Sequence, residues 1–199
     1  MSQPVFLYTA RAADLLEVPE QKKFTRAEES RAAEILVLKF LENSGSPAHF
    51  RRRDDGLPLW PDGYGGSISH CRGEIAVAAR CGAPLGIDME KISRVTPAIF
   101  DRIATPAERA AAETFPDAEI FSAILFCAKE AAWKLIRNYI VLSPGWQDIN
   151  VTPLAGNRLH VRCGNMDMHG IFLKHKDMLI VLMEKQDEGT FPDPSWIAQ

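Results

Sequence analysis

The sequence predicts an α+β fold, and three observations carry that expectation. Residues 25–41 repeat apolar side chains at three- and four-residue spacing, through Ala32, Ile35, Leu36, Leu38 and Leu41, which is the period of a helix. Residues 149–184 break into short runs rich in Val, Ile, Leu and Met, the mark of strands. Helices and strands come in blocks rather than in alternating strand–helix–strand units, which argues against a parallel α/β sheet.

Residues 4–9 read as a strand, and 12–18 as a helical turn before Pro19. The helix over 25–41 is stopped by Asn43-Ser44-Gly45-Ser46-Pro47. Residues 51–66, rich in Gly, Pro and Asp, read as a loop that Ser67-Ile68-Ser69-His70 leaves. Residues 75–80 and 85–90 read as strands on either side of Cys81-Gly82-Ala83-Pro84, together a hairpin. Thr105 is an N-cap with Pro106 at the first helical position. Residues 119–139 form a second long helix that is apolar almost all round, hence buried. Strands over 149–153, 158–163, 168–175 and 178–184 follow, the last two joined around Lys176-Asp177.

A chain of 199 residues is ample for a sizeable core, as one domain or two small lobes. A net charge of −3 argues against a nucleic-acid binder. No apolar run approaches the roughly 20 residues that span a bilayer, and the first ten residues do not read as a signal peptide. Four scattered cysteines without a Cys-x-x-Cys pair fit free thiols and a cytoplasmic location better than disulfides or zinc.

Chemistry concentrates in two patterns. In Gly86-Ile87-Asp88-Met89-Glu90 the two carboxylates lie two residues apart on a strand, so they share a face. Such a pair repels unless a cation separates it, and Mg²⁺ takes one or two carboxylates with waters and substrate phosphate. In Ala128-Lys129-Glu130-Ala131-Ala132-Trp133-Lys134, Glu130 and Lys134 are neighbours one turn apart. On an exposed helix they would be a weak surface pair, but charges on a buried helix need partners or a function. Lys129 is expected to reach solvent at the rim. Gly65-Gly66 before Ser67-Ile68-Ser69-His70 lets backbone approach a phosphate, with Ser and His as hydrogen-bonding groups; in isolation it would be a turn feeding a strand. Arg51-Arg52-Arg53 is either a solvated run or a phosphate contact.

Taken in order, the motifs resemble the 4′-phosphopantetheinyl transferases. The likeness is nearest to the enterobactin-synthetase type within the two-lobed, surfactin-synthetase-type group. The matching text is Pro58-Leu59-Trp60-Pro61, Gly66-Ser67-Ile68-Ser69-His70-Cys71, Leu85-Gly86-Ile87-Asp88-Met89-Glu90, Thr105-Pro106-Ala107-Glu108 and Phe126-Cys127-Ala128-Lys129-Glu130-Ala131 with Lys134. It covers nearly the whole chain from residue 22.

The resemblance implies a pseudo-dimer of two similar α+β lobes, 1–84 and 85–199, with coenzyme A in the cleft between them. It implies transfer of the 4′-phosphopantetheine arm of coenzyme A to a serine of an apo acyl or peptidyl carrier protein, releasing 3′,5′-ADP. Siderophore or other nonribosomal-peptide biosynthesis is the implied setting. Asp88, Glu90 and Glu130 would bind Mg²⁺. Glu130 would also be the base, and Lys134 would stabilise or protonate the leaving group and contact coenzyme A. His70 would hydrogen-bond a phosphate, Ser69 would sit by the 3′-phosphate, and Arg31 would contact coenzyme A. Gly56 and Leu57 stand where relatives carry basic residues, so Arg53 or its neighbours would substitute. Cys127 replaces a small hydroxylic residue. Lys22-Lys23 and the arginine run are candidate contacts for an acidic carrier. The partner set is thus coenzyme A and a carrier protein, with the enzyme a monomer. The competing readings are a non-catalytic coenzyme A-binding module and a metal-dependent phosphohydrolase acting on coenzyme A.

Overall fold

The computed structural model describes residues 4–19, 22–46, 49–141, 144–186 and 197–198, so Pro47 of the expected helix stop lies outside them. The elements in order are β1 Val5–Arg11, α1 Ala12–Leu16, α2 Arg26–Asn43, β2 Arg51–Arg52, β3 Pro58–Leu59, β4 Tyr64–Cys71, β5 Glu74–Cys81, β6 Leu85–Lys91, α3 Pro97–Ile103, α4 Pro106–Thr114, α5 Ala118–Ile136, β7 Ile149–Pro153, β8 Arg158–Cys163, β9 Met166–His175, β10 Met178–Lys185 and β11 Ile197–Ala198. Short 3-10 turns lie at Ile92–Arg94 and Trp146–Asp148. This is an α+β chain. It divides into two compact units, one running to Leu85 and including the strand Ile197–Ala198, the other starting at Gly86.

In the first unit the sheet order is β11-β1-β5-β4. The β1–β5 and β5–β4 pairs are antiparallel and β11 runs parallel to β1, with Val5 opposite Ile197. Residue 85 onward was expected to form one lobe, whereas Ile197–Ala198 pairs in the sheet of the first unit. The helix α2 begins where Thr25 and Glu28 close a capping box, each side chain taking the other's backbone amide. Its buried stripe is Glu29, Ala32, Ala33, Leu36, Val37, Phe40 and Leu41. Phe40 sits at the centre of the core, with the rings of Phe6, Tyr8, Trp60 and Tyr64 5.9 to 6.3 Å away, centroid to centroid.

The structure corrects the expected hairpin of 75–80 with 85–90. The hairpin partner of β5 is β4, and β6 instead forms the edge of the second sheet. The cause is local. Arg72 and Gly73 both have positive φ, 53° and 83°, which is what a two-residue turn between right-twisted strands requires. The loop reading of 64–66 is also corrected, because Gly65 and Gly66 lie inside β4. A Cβ on Gly65 would meet the Ala83 carbonyl oxygen at 2.3 Å, and one on Gly66 the Trp60 ring at 2.4 Å. These glycines admit close protein neighbours.

The second unit has the sheet order β6-β10-β9-β8-β7, and the β10–β9, β9–β8 and β8–β7 pairs are antiparallel. The β9–β10 turn at Lys176-Asp177 is where the sequence places it, with Lys176 at φ 55°. Helix α5 packs on this sheet through Ala123, Ile124, Leu125, Cys127, Ala128, Ala131, Ala132, Leu135 and Ile136. Ahead of it, Thr105 caps α4 with Pro106 in the first turn and Glu108 completing a capping box. Among the described residues no helix is long and apolar enough to cross a membrane.

Candidate functional site

The face that β6 turns to α5 carries Gly86, Asp88 and Glu90, at the period of two that a strand imposes. A Cβ on Gly86 would lie 2.0 Å from the Ala131 carbonyl oxygen, so the strand and helix backbones approach as only glycine permits. Opposite, Cys127, Glu130, Ala131 and Lys134 recur at three- and four-residue spacing along α5. The two stripes meet. Lys134 Nζ donates to Asp88 Oδ1 at 2.8 Å and to the Ile87 carbonyl at 2.9 Å. Asp88 is only 7% exposed, and this ammonium is a direct counter-charge to it. Glu90 Oε1 accepts the Lys91 amide at 2.7 Å, and Arg94 Nη1 lies 3.4 Å from both of its carboxylate oxygens. Glu130 is part-buried, one turn before Lys134.

Cys127 reports the field of this site. Its buried thiol is pushed well above the usual cysteine value, first by burial, then by the negative charges of Asp88 and Glu90 and a hydrogen bond to Asp88; Lys134 opposes them. The thiol is therefore neutral, and both carboxylates act on one small volume. Their donors are hard oxygens, the ligand type Mg²⁺ selects, and Mg²⁺ completes its shell with water and substrate oxygens. Among the described residues no three His, Cys, Asp or Glu side chains close into a cage of their own. Carboxylate oxygens on one face of a strand are the kind of donor a hard cation takes when other oxygens complete its shell.

Lys129 departs from expectation. It is fully buried rather than at the rim, because its side of α5 faces the start of α4. Its ammonium lies 2.9 Å from Glu108 Oε2 and donates to the carbonyls of Ile103 and Trp146, each at 2.8 Å. Glu108 also accepts the amides of Thr105 at 2.7 Å and Val151 at 2.8 Å. Burial pushes the Lys129 pKa down, and the Glu108 carboxylate opposes that shift. Thr105-Pro106-Ala107-Glu108 and Lys129 thus form one internal polar cluster that anchors α5.

In the first unit, His70 on β4 faces α2, and its Nδ1 lies 3.0 Å from Glu29 Oε2. Glu29 Oε1 accepts the Gly73 amide at 2.6 Å. Sequence reasoning passed over Glu29, although an acid in phase with Ala32, Leu36 and Phe40 was a visible signal. Ser69, the residue before it on β4, is buried and projects to the opposite face from His70. Arg31 is exposed on α2. Arg53 pairs with Asp55 at 2.9 Å. Arg52 lies over the Phe50 ring and donates to Ser30 Oγ and the Gly56 carbonyl. The structure therefore joins Asp88 to Lys134 within the second unit, and His70 to Glu29 within the first.

The site defines a class: acids and a lysine placed between a strand edge and a buried helix, suited to a phosphate-bearing ligand. Residues 84–187 match the 4′-phosphopantetheinyl transferase superfamily, and residues 18–80 match the 4′-phosphopantetheinyl transferase N-terminal domain. The chain belongs to the 4′-phosphopantetheinyl transferase superfamily. It is 32% identical over 173 residues to the enterobactin synthase component D of Escherichia coli K12, covering 84% of this chain and 79% of that one. It is 40% identical over 114 residues to the 4′-phosphopantetheinyl transferase PptT of Mycobacterium tuberculosis, covering 53% of this chain. The match spans about half of that relative's length, 48%. A solved holo-[acyl-carrier-protein] synthase of Thermotoga maritima aligns with TM-score 0.44 at 20% identity, over 52% of this chain and 63% of that one.

Proposed function

We propose that this protein transfers the 4′-phosphopantetheine arm of coenzyme A to a serine of an apo acyl or peptidyl carrier protein, in the cytoplasm. The observation that carries the reading is the Asp88–Lys134 pair, with Glu90 on the same face of β6 and Glu130 one turn along α5. A bare structural ion pair does not need two further carboxylates beside it. The enterobactin synthase relatives favour a siderophore or other nonribosomal-peptide carrier as the acceptor.

On this reading, Glu130 takes the proton of the carrier serine as its oxygen attacks the phosphorus bearing the pantetheine arm. The bond from that phosphorus to the bridging oxygen breaks, and 3′,5′-ADP leaves with the electron pair. Lys134 neutralises the charge that develops on the leaving oxygen. Mg²⁺, held by Asp88, Glu90 and Glu130, would offset the negative charge of the pyrophosphate. His70 donates a hydrogen bond to a phosphate oxygen, while Arg31, Arg53 and Ser69 are the candidate contacts for the rest of coenzyme A.

The test is incubation with coenzyme A, Mg²⁺ and several apo carrier proteins, read by intact mass. A gain of one phosphopantetheine that chelator abolishes supports the transferase. Release of 3′,5′-ADP without any carrier would instead support a phosphohydrolase, and coenzyme A binding without transfer a binding module. The Lys134→Ala variant is expected to lower kcat by about a hundredfold or more while changing the Kd for coenzyme A much less, since the ammonium acts mainly in the transition state. An equal loss in both quantities would assign Lys134 to ground-state binding.

A further inference from the structure

Glu29 is a carboxylate on an otherwise apolar stripe, and at 8% exposure it needs partners for both oxygens. One oxygen serves the Gly73 amide at 2.6 Å and the other faces His70 Nδ1 at 3.0 Å. The turn alone does not require an acid. Its shape comes from the positive φ of Arg72 and Gly73, its other side is held where the Gly73 carbonyl accepts the Ala12 amide, and any side-chain oxygen would satisfy one amide. The imidazole is different. An ionised carboxylate is acceptor only, so the nitrogen facing it carries a proton. With Nδ1 turned to Glu29, Nε2 lies on the far side of the ring.

We propose that Glu29 is a positioning residue for ligand binding: it fixes the His70 ring with Nδ1 protonated and favours the form in which Nε2 also donates, to a phosphate oxygen of coenzyme A. This rests on the reading that His70 meets that phosphate. A phosphate oxygen is an acceptor, so Nε2 must hold a proton while Nδ1 keeps its own. A carboxylate at Nδ1 is the neighbour that favours this state.

The Glu29→Gln variant separates positioning from structure. Its side-chain oxygen still accepts the Gly73 amide, but the atom facing Nδ1 becomes an NH₂ donor. ¹⁵N–¹H spectra of the free protein, with the His70 signal assigned by its loss in His70→Gln, are expected to show Nδ1 protonated in the wild type. In Glu29→Gln the proton should move to Nε2, leaving a neutral ring that still donates from Nε2 but without the charge of the doubly protonated form. Calorimetry with coenzyme A should show binding weakened about tenfold in Glu29→Gln, with no further loss when it is combined with His70→Gln. Wild-type coenzyme A affinity in Glu29→Gln overturns the proposal, as does an unchanged Nδ1 proton or a loss that multiplies with that of His70→Gln. Because both readouts omit the carrier protein, they stand apart from the transferase reading. A coupled loss of coenzyme A binding in a protein that modifies no carrier would sustain the positioning role and sink the transferase. Carrier modification with an uncoupled Glu29→Gln would do the reverse.

Discussion

Asp88→Asn should lower transfer to a carrier protein by about a hundred- to a thousandfold, the range seen when one preorganised electrostatic group is removed from a reacting site. The substitution keeps shape and one oxygen, so Lys134 retains a hydrogen bond while losing its counter-charge. It also halves the charge of the β6 pair that is proposed to share a cation with the pyrophosphate. The thermal melt should therefore change far less than the rate. The informative comparison is initial velocity across a Mg²⁺ titration. A variant that recovers wild-type rate at high Mg²⁺ would place Asp88 in metal affinity alone, and one with wild-type rate at every concentration would remove it from the site.

Lys129→Met carries the other large effect, on stability. The methionine fills similar volume but leaves Glu108, 2% exposed, without its opposing charge. Removing one partner of a buried pair typically costs about 3–5 kcal/mol. For a chain of this size that is on the order of ten degrees in Tm. The double variant Lys129→Met/Glu108→Gln should recover part of the loss, since it removes the stranded charge as well. Urea unfolding of the four proteins of this cycle measures the coupling. A Lys129→Met protein as stable as wild type, with transfer abolished, would move Lys129 from scaffold to chemistry.

Local signals served well where local physics decides. The cap at Thr105 and the β9–β10 turn were both readable, because each depends on residues a few positions apart. Strand pairing was not. The partner of β5 is set by Arg72-Gly73, a turn pair without the usual Asn or Asp, and β6 pairs with β10, some ninety positions away in sequence. Lys129 was misplaced for a related reason. On a helix apolar nearly all round, periodicity does not tell which neighbour each face will meet. The Gly65-Gly66 pair looked like room for a phosphate because the sequence does not show the Trp60 ring and the Ala83 carbonyl that occupy that room. Among the site residues, those adjacent along one element were grouped from the sequence, whereas Glu29 and His70 meet only through the packing of α2 on β4.

The contact at Gly86 has a consequence for how such a site can vary. A missing side chain sets the spacing between Ala131 and β6, and the same spacing lets a lysine on one element reach an aspartate on the other. Fold and chemistry are then coupled through one hydrogen atom's worth of clearance. Any larger residue at 86 has to move strand and helix backbones apart, and so acts on the Asp88–Lys134 pair through geometry without changing either charge. Residue 86 therefore acts on the site through spacing, whereas the side chain at 127 acts on it through polarity.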